Sequence, residues 1–170
     1  ALGNHDYHGN VNAQITIDNP YWHMPGKVYN FTIQDHTFVV MDSTKIDKLQ
    51  IDYVDSLLEH AGKYKWIVCH HPIVTAGWHH DVDRKYQDDL ATLYRKHGVK
   101  AIISGHDHNL QYLEWNGVRQ IISGAGSSTY HVQYPQEGHK FFESTPGFVN
   151  MLFSEDNVMV SFLNEESELY

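Results

Sequence analysis

The chain has 170 residues, 41% of them hydrophobic and 19% charged, which is enough for one globular domain with a sizeable core and excludes a disordered chain. The formal net charge of −9 argues against nucleic acid or an anionic membrane as a partner, and no apolar run approaches the roughly 18 residues of a membrane span. The single cysteine, Cys69, excludes an internal disulfide and a zinc site built from several cysteines.

The first half of the chain is predicted to hold a hairpin and a helix. Residues 28–33 and 36–41 are rich in β-forming side chains, and Gln34 and Asp35 between them form a plausible turn. A helix is expected over residues 46–60, because apolar side chains recur there at three- and four-residue spacings. The apolar positions at these spacings are Ile46, Leu49, Tyr53 and Leu57, a pattern typical of one face of a helix.

Two continuous apolar runs dominate the middle of the chain. Residues 65–69 and 99–104 are predicted to form buried strands, because such runs are typical of strands that are covered on both faces. A helix is predicted between them over residues 84–97. A helix that connects two strands implies that the strands pair in parallel.

The last part of the chain is predicted to form two hairpins. Residues 110–115 and 118–123 flank Asn116-Gly117, which is the strongest short hairpin signal. Residues 124–146 are expected to form a long polar loop, and a final hairpin follows over 148–163. Parallel and antiparallel strands together predict a mixed α/β (α+β) sandwich.

Three polar clusters each lie just past a predicted apolar strand. They are residues 4–6 (Asn-His-Asp), 70–71 (His-His) and 106–108 (His-Asp-His). Because neighbouring parallel strands end at one edge of a sheet, the three clusters are expected to converge there. Imidazole nitrogens with an amide oxygen suit Zn, Fe or Mn. A dinuclear site also needs a bridging carboxylate, and apart from Asp6 and Asp107 no aspartate stands obviously at such a strand end.

These motifs resemble those of the calcineurin-like metallophosphoesterases. Gly3-Asn4-His5-Asp6, His70-His71-Pro72 and Gly105-His106-Asp107-His108 match the last three motif blocks of that superfamily in order. Residues 4–14, 105–113 and 122–126 are most similar to purple acid phosphatases of the small tartrate-resistant type. The resemblance implies a two-sheet β-sandwich flanked by helices. The first two motif blocks are absent, so residues 1–170 are expected to be the C-terminal part of one such domain, partnered by a missing N-terminal segment.

The resemblance also implies a set of metal ligands. Asn4, His70 and His106 would bind the second of two metal ions, and His108 would bind the first. The V-x-x-H pattern of the family fits His71 literally, whereas the spacing to the following proline favours His70 as the ligand. His71 is then expected to be a neighbour of the metal ligands.

Two substrate-facing histidines are implied as well. His5, oriented by Asp6, and His79 would bind phosphate or protonate the leaving oxygen. The implied reaction is hydrolysis of phosphate monoesters by an Fe(III) ion and a divalent Fe, Zn or Mn ion, with a metal-bound hydroxide as the nucleophile. The implied location is secreted, lysosomal or in another acidic vesicle.

Two other functions remain open at the level of sequence. One is a related metallophosphoesterase that acts on diesters or nucleotides, because the motif residues are shared. The other is a non-catalytic, phosphatase-like subunit that anchors a protein complex, as in apicomplexan glideosome-associated proteins that resemble purple acid phosphatases. A non-enzymatic relative tolerates lost ligands, whereas the matching motif residues are all intact here, which favours an enzyme.

Overall fold

The structure is a computed structural model that describes residues 1–78, 82–132, 138–155 and 157–170. These residues form one 3-10 helix, three α-helices and nine strands. In chain order the elements are the 3-10 helix Asn4–His8, α1 (Val11–Ile15), β1 (Tyr29–Ile33), β2 (His36–Val40), α2 (Lys48–Glu59), β3 (Tyr64–Val68), α3 (Arg84–His97), β4 (Ala101–Ser104), β5 (Leu110–Trp115), β6 (Val118–Ser123), β7 (His139–Glu143), β8 (Gly147–Phe153) and β9 (Val158–Asn164).

The main sheet has seven strands in the order β1-β2-β3-β4-β6-β5-β7. Its central strands β2, β3, β4 and β6 pair in parallel, while β1 pairs antiparallel with β2, β5 with β6, and β7 with β5. The parallel centre therefore directs the C-terminal ends of four strands to one edge of the sheet.

The two faces of the main sheet are covered differently. Ile67 and Trp66 are consecutive on β3 and point to opposite faces. Ile67 packs in the core that α2 and α3 close, whereas Trp66 packs in a second cluster beneath the β8–β9 hairpin. The predicted α/β architecture of two packed sheets with helices is confirmed.

The buried face of α2 does not coincide with the apolar spacing in its sequence. Val54 and Leu58 are fully buried, whereas Leu49 is 80% exposed and Tyr53 51% exposed. The side of α2 that faces the main sheet is therefore the side that carries Val54 and Leu58. Ile46 and Leu57 pack against the core, whereas Leu49 and Tyr53 do not, because α2 carries apolar residues on more than one side and only one side contacts the sheet.

Strand β7 lies inside the segment predicted to be a polar loop. It pairs antiparallel with β5, with an irregular register between Tyr112 and Leu113. Its sequence, His-Lys-Phe-Phe-Glu, does not alternate between apolar and polar residues. The strand therefore depends on pairing with β5 rather than on a pattern of its own.

One predicted helix end and one predicted turn are confirmed. Helix α3 ends at Gly98, which adopts a left-handed conformation with φ of 66°. Asn116 and Gly117 join β5 to β6 with φ of 49° and 75°, as a tight hairpin turn requires. In the part of the chain that the structure describes, every helix is too short or too polar to cross a bilayer.

Candidate metal centre

Two parallel strands bring His70 and His106 to the same edge of the main sheet. Each histidine lies two residues past the end of its strand, β3 or β4. The backbones remain in register beyond the strand ends, since the Gly105 amide donates to the His70 carbonyl at 3.0 Å. His106 itself has a φ of 63°, which is left-handed. A non-glycine residue in that conformation is under local strain, and such residues cluster at functional sites.

The donor atoms of three predicted ligands converge. His70 Nε2 lies 2.8 Å from Asn4 Oδ1 and 3.0 Å from His106 Nδ1. An imidazole nitrogen has either one proton or one lone pair, so His70 Nε2 cannot form a full hydrogen bond to both atoms. Two ligands about 2.1 Å from one ion, at an angle of about 90°, are roughly 3.0 Å apart. This donor set therefore fits a transition-metal ion.

His71 also belongs to the cluster. Among the described residues, the potential ligand atoms of His70, His71 and His106 all lie within 4.8 Å of one another. Ser43 fixes the His71 ring, because its Oγ lies 3.0 Å from His71 Nδ1 and also accepts the His71 amide at 2.8 Å. Both consecutive histidines, rather than one, thus face His106.

The pKa values of His70 and His71 both lie below that of a free imidazole. Burial, with the neighbouring His71 as a smaller cause, lowers the pKa of His70 to about 4. Burial also lowers the pKa of His71, an effect that nearby Asp42 opposes. Neutral rings at ordinary pH have lone pairs for an ion without first losing a proton.

His108 is not part of this group in the described residues. It is half-buried, its Nδ1 lies 3.4 Å from Ser128 Oγ, and its ring centroid is 5.2 Å from that of Tyr130. Its predicted role as ligand of the other metal ion stays a prediction. His79, which was predicted to face the substrate, lies outside the described residues.

His5 and Asp6 lie beside Asn4 in the 3-10 helix. The His5 ring is exposed, and its centroid is 5.1 Å from that of His8. Asp6 accepts a hydrogen bond from the Gly3 amide at 2.8 Å and so closes the start of the helix. Asp6 therefore fixes the turn that presents Asn4, and the predicted roles of both residues in catalysis stay predictions.

Asp42 is a carboxylate at this edge that the sequence analysis missed. Like His70 and His106, it lies two residues past the end of its strand, here β2, and it is 2% exposed. The Tyr7 hydroxyl donates to Asp42 Oδ2, and the Thr44 amide donates to Oδ1 at 3.0 Å. Asp42 thereby ties the loop that carries Asn4 to the main sheet. Its place directly after a predicted strand was the available signal.

Gly3 is a position where one methyl group should disturb the centre. A Cβ on Gly3 would lie 2.9 Å from the His70 ring, whereas a Cβ on Gly9 would meet nothing within 4 Å. Gly3→Ala must therefore displace the ring, and we expect it to weaken Zn²⁺ binding by about tenfold, the scale of a small overpacking strain. Isothermal titration calorimetry of the two variants, with Gly9→Ala as control, measures the difference. Equal affinities would contradict the placement of His70.

Comparison with known sequences identifies the family of the chain. Residues 1–110 match the calcineurin-like phosphoesterase family. The chain is 29% identical to purple acid phosphatase 3 of Arabidopsis thaliana, over 95% of the chain and 53% of that protein. It is 27% identical to tartrate-resistant acid phosphatase type 5 of Homo sapiens, over 95% of the chain and 61% of that protein. The chain thus spans little more than half the length of these curated relatives.

Solved structures share the fold over the whole chain. GAP50, the anchor in the inner membrane complex of Plasmodium, superposes with a TM-score of 0.84 at 24% identity, over 99% of this chain and 62% of that one. Purple acid phosphatase PPD1 of yellow lupin gives 0.81 at 17% identity, over 99% and 36%. The resemblance predicted from the three motifs is confirmed: the chain belongs to the calcineurin-like phosphoesterase family.

Proposed function

We propose that this chain is part of a metal-dependent acid phosphatase that hydrolyses phosphate monoesters. The observation that supports the proposal is that Asn4 Oδ1 and His106 Nδ1 lie 2.8 Å and 3.0 Å from His70 Nε2. The named curated relatives are acid phosphatases. Because the chain spans only part of their length, the proposal concerns the whole protein.

The proposed centre is dinuclear. Asn4, His70 and His106 hold one ion and His108 contributes to the other, while the remaining ligands, including a bridging carboxylate, come from outside residues 1–170. The proposed ions are Fe(III) and a divalent Fe, Zn or Mn ion. Bound ions of this kind clamp a phosphate group and lower the pKa of water. The half-buried imidazoles of His70 and His71, whose pKa values burial lowers, suit such a site, because a protonated ring repels a cation.

Substrate contacts are proposed for the residues near the rim. His5 is exposed beside Asn4, so its ring is accessible to a phosphate oxygen or to the departing alkoxide. His79 has the same proposed role. The proposed location is outside the cell or in an acidic vesicle.

A substrate panel tests the proposal. We expect the metal-loaded, full-length protein to hydrolyse a monoester such as p-nitrophenyl phosphate, with the highest rate at acidic pH, and to lose this activity after dialysis against a chelator. The corresponding diester, bis-p-nitrophenyl phosphate, should react at least about tenfold more slowly. A faster diester reaction, or a rate that rises steadily to alkaline pH, would overturn the monoesterase proposal.

A non-catalytic anchor is the second candidate. GAP50 shares the fold, so the fold alone does not separate a hydrolase from an anchoring subunit. The assembled donor set favours the hydrolase, because anchoring another protein requires no converging metal ligands. A full-length protein that binds metal but turns over neither ester would support the anchor instead.

A further inference from the structure

A buried polar network lies directly behind His106. Its centre is Asp107, which is fully buried. The Thr75 hydroxyl donates to Asp107 Oδ2, and Gln111 Nε2 lies 3.2 Å from the same oxygen. Gln111 Nε2 also donates to Thr75 Oγ1 at 2.8 Å, which closes a triangle of three side chains. Buried networks whose members are mutually satisfied are rigid.

The network holds the backbone of the segment that follows His70-His71. The Ala76 amide donates to Gln111 Oε1 at 3.2 Å, and the Gly77 amide donates to Thr75 Oγ1 at 3.1 Å. Gly77 is pressed against the carboxylate, since a Cβ there would lie 1.9 Å from Asp107 Oδ2. Residues 75–77 thus depend on these side chains rather than on pairing with a strand.

The same side chains are tied to the metal edge. Asp107 follows His106, and the Asp107 amide donates to the Gly105 carbonyl at 2.7 Å. Gly124 packs on the Asp107 carbonyl, because a Cβ there would lie 1.9 Å from that oxygen. His139 Nε2, on β7, lies 3.1 Å from Gln111 Oε1. Asp107 and Gln111, which hold residues 75–77, therefore also contact Gly105, Gly124 and β7.

We propose that Asp107, Thr75 and Gln111 are positioning residues that set the loop 73–78 relative to His106. The loop begins three residues after His70 and ends at Trp78, whose side chain is 64% exposed. The inference rests on the proposed function, which gives this exposed loop end a phosphate ester to contact. The loop governs how substrate is held, whereas the metal ligands are positioned by the strand ends. Its loosening therefore raises KM more than it lowers kcat.

Substitutions at Thr75 test this role in the full-length protein. Thr75→Val keeps the shape but removes the hydroxyl that donates to Asp107 and accepts from Gly77. Thr75→Ser keeps the hydroxyl, and Thr92→Val changes an exposed threonine of α3 as the matched control. Three quantities are measured: amide hydrogen exchange at Ala76 and Gly77, Zn²⁺ affinity, and the kinetics of p-nitrophenyl phosphate hydrolysis.

We expect Thr75→Val to speed exchange at Ala76 and Gly77 by about tenfold, as local opening becomes easier. KM should rise about fivefold, with kcat and Zn²⁺ affinity within about twofold of the parent. Thr75→Ser should restore the parental values, and Thr92→Val should leave them unchanged.

Three results would overturn the positioning role. The first is that Thr75→Val leaves amide exchange and KM unchanged. The second is that Thr75→Ser is as impaired as Thr75→Val. The third is that Thr75→Val weakens Zn²⁺ binding by the same factor by which it raises KM. If the parent protein hydrolyses no ester, the proposed function fails separately. Exchange at Ala76 and Gly77 then decides whether the network holds the loop.

Discussion

His106→Ala should lower the affinity of the protein for Zn²⁺ by on the order of a hundredfold, since even outer-shell changes reduce metal affinity by about 10- to 100-fold. The reason is geometric: His106 Nδ1 is one of the two donor atoms that lie against His70 Nε2. Without it, the amide oxygen of Asn4 and the imidazoles of His70 and His71 remain. Calorimetric titration of metal-free protein measures the change, and phosphatase activity should fall with metal content.

His60→Ala is the matched control for that experiment. His60 is an exposed histidine at the end of α2, where its ring nitrogen lies 2.8 Å from the Ser56 carbonyl. Removing it deletes one imidazole from a histidine-rich chain without touching the sheet edge. Similar losses in the two variants would mean that Zn²⁺ binds histidines across the surface, and the candidate centre would be wrong.

Leu58→Ala should lower the free energy of unfolding by about 2–5 kcal/mol, the range for a leucine truncated in a packed core. Leu58 is fully buried in the core cluster that α2 and α3 close against the main sheet. Its loss leaves a cavity that helix and sheet refill only in part. Urea unfolding followed by circular dichroism measures the shift in midpoint.

Leu49→Ala makes the same chemical change on the same helix and serves as the control. Leu49 is 80% exposed, so its truncation should alter the free energy of unfolding by less than about 0.5 kcal/mol. Equal effects at the two positions would contradict the orientation of α2. A larger effect at Leu49 would restore the inward face expected from sequence periodicity.

The strands were largely predictable because their sequences allow few other structures. The apolar runs of β3 and β4 are too short and too continuous for surface helices, and Asn116-Gly117 defines the β5–β6 turn. Helix α2 shows where this reasoning fails. Its apolar residues occupy more than one side, and only contact with the sheet decides which side is buried. Strand β7 likewise depends on pairing with β5, which its own sequence does not reveal.

The candidate centre was predictable to the extent that it depends on strand ends. His70 and His106 converge because the parallel strands β3 and β4 end together, which the order of apolar runs in the sequence predicts. Asn4 follows no strand in the structure and reaches His70 from the start of the 3-10 helix. The orientation of a histidine ring, in contrast, cannot be predicted from the order of residues in the sequence. The participation of His71 depends on Ser43, which lies 28 residues away in sequence and reaches it only in the folded sheet.

The left-handed backbone of His106, with φ of 63°, implies a trade-off between stability and function. Glycine adopts this conformation without penalty, whereas a side-chain-bearing residue destabilises the fold by about 1–3 kcal/mol there. By that measure His106→Gly should fold more stably than His106→Ala, although both lack the imidazole. The backbone at the end of β4 is thus better suited to a glycine than to the residue it carries. In the candidate centre, His106 thus combines a strained backbone with a ring nitrogen that lies 3.0 Å from His70 Nε2.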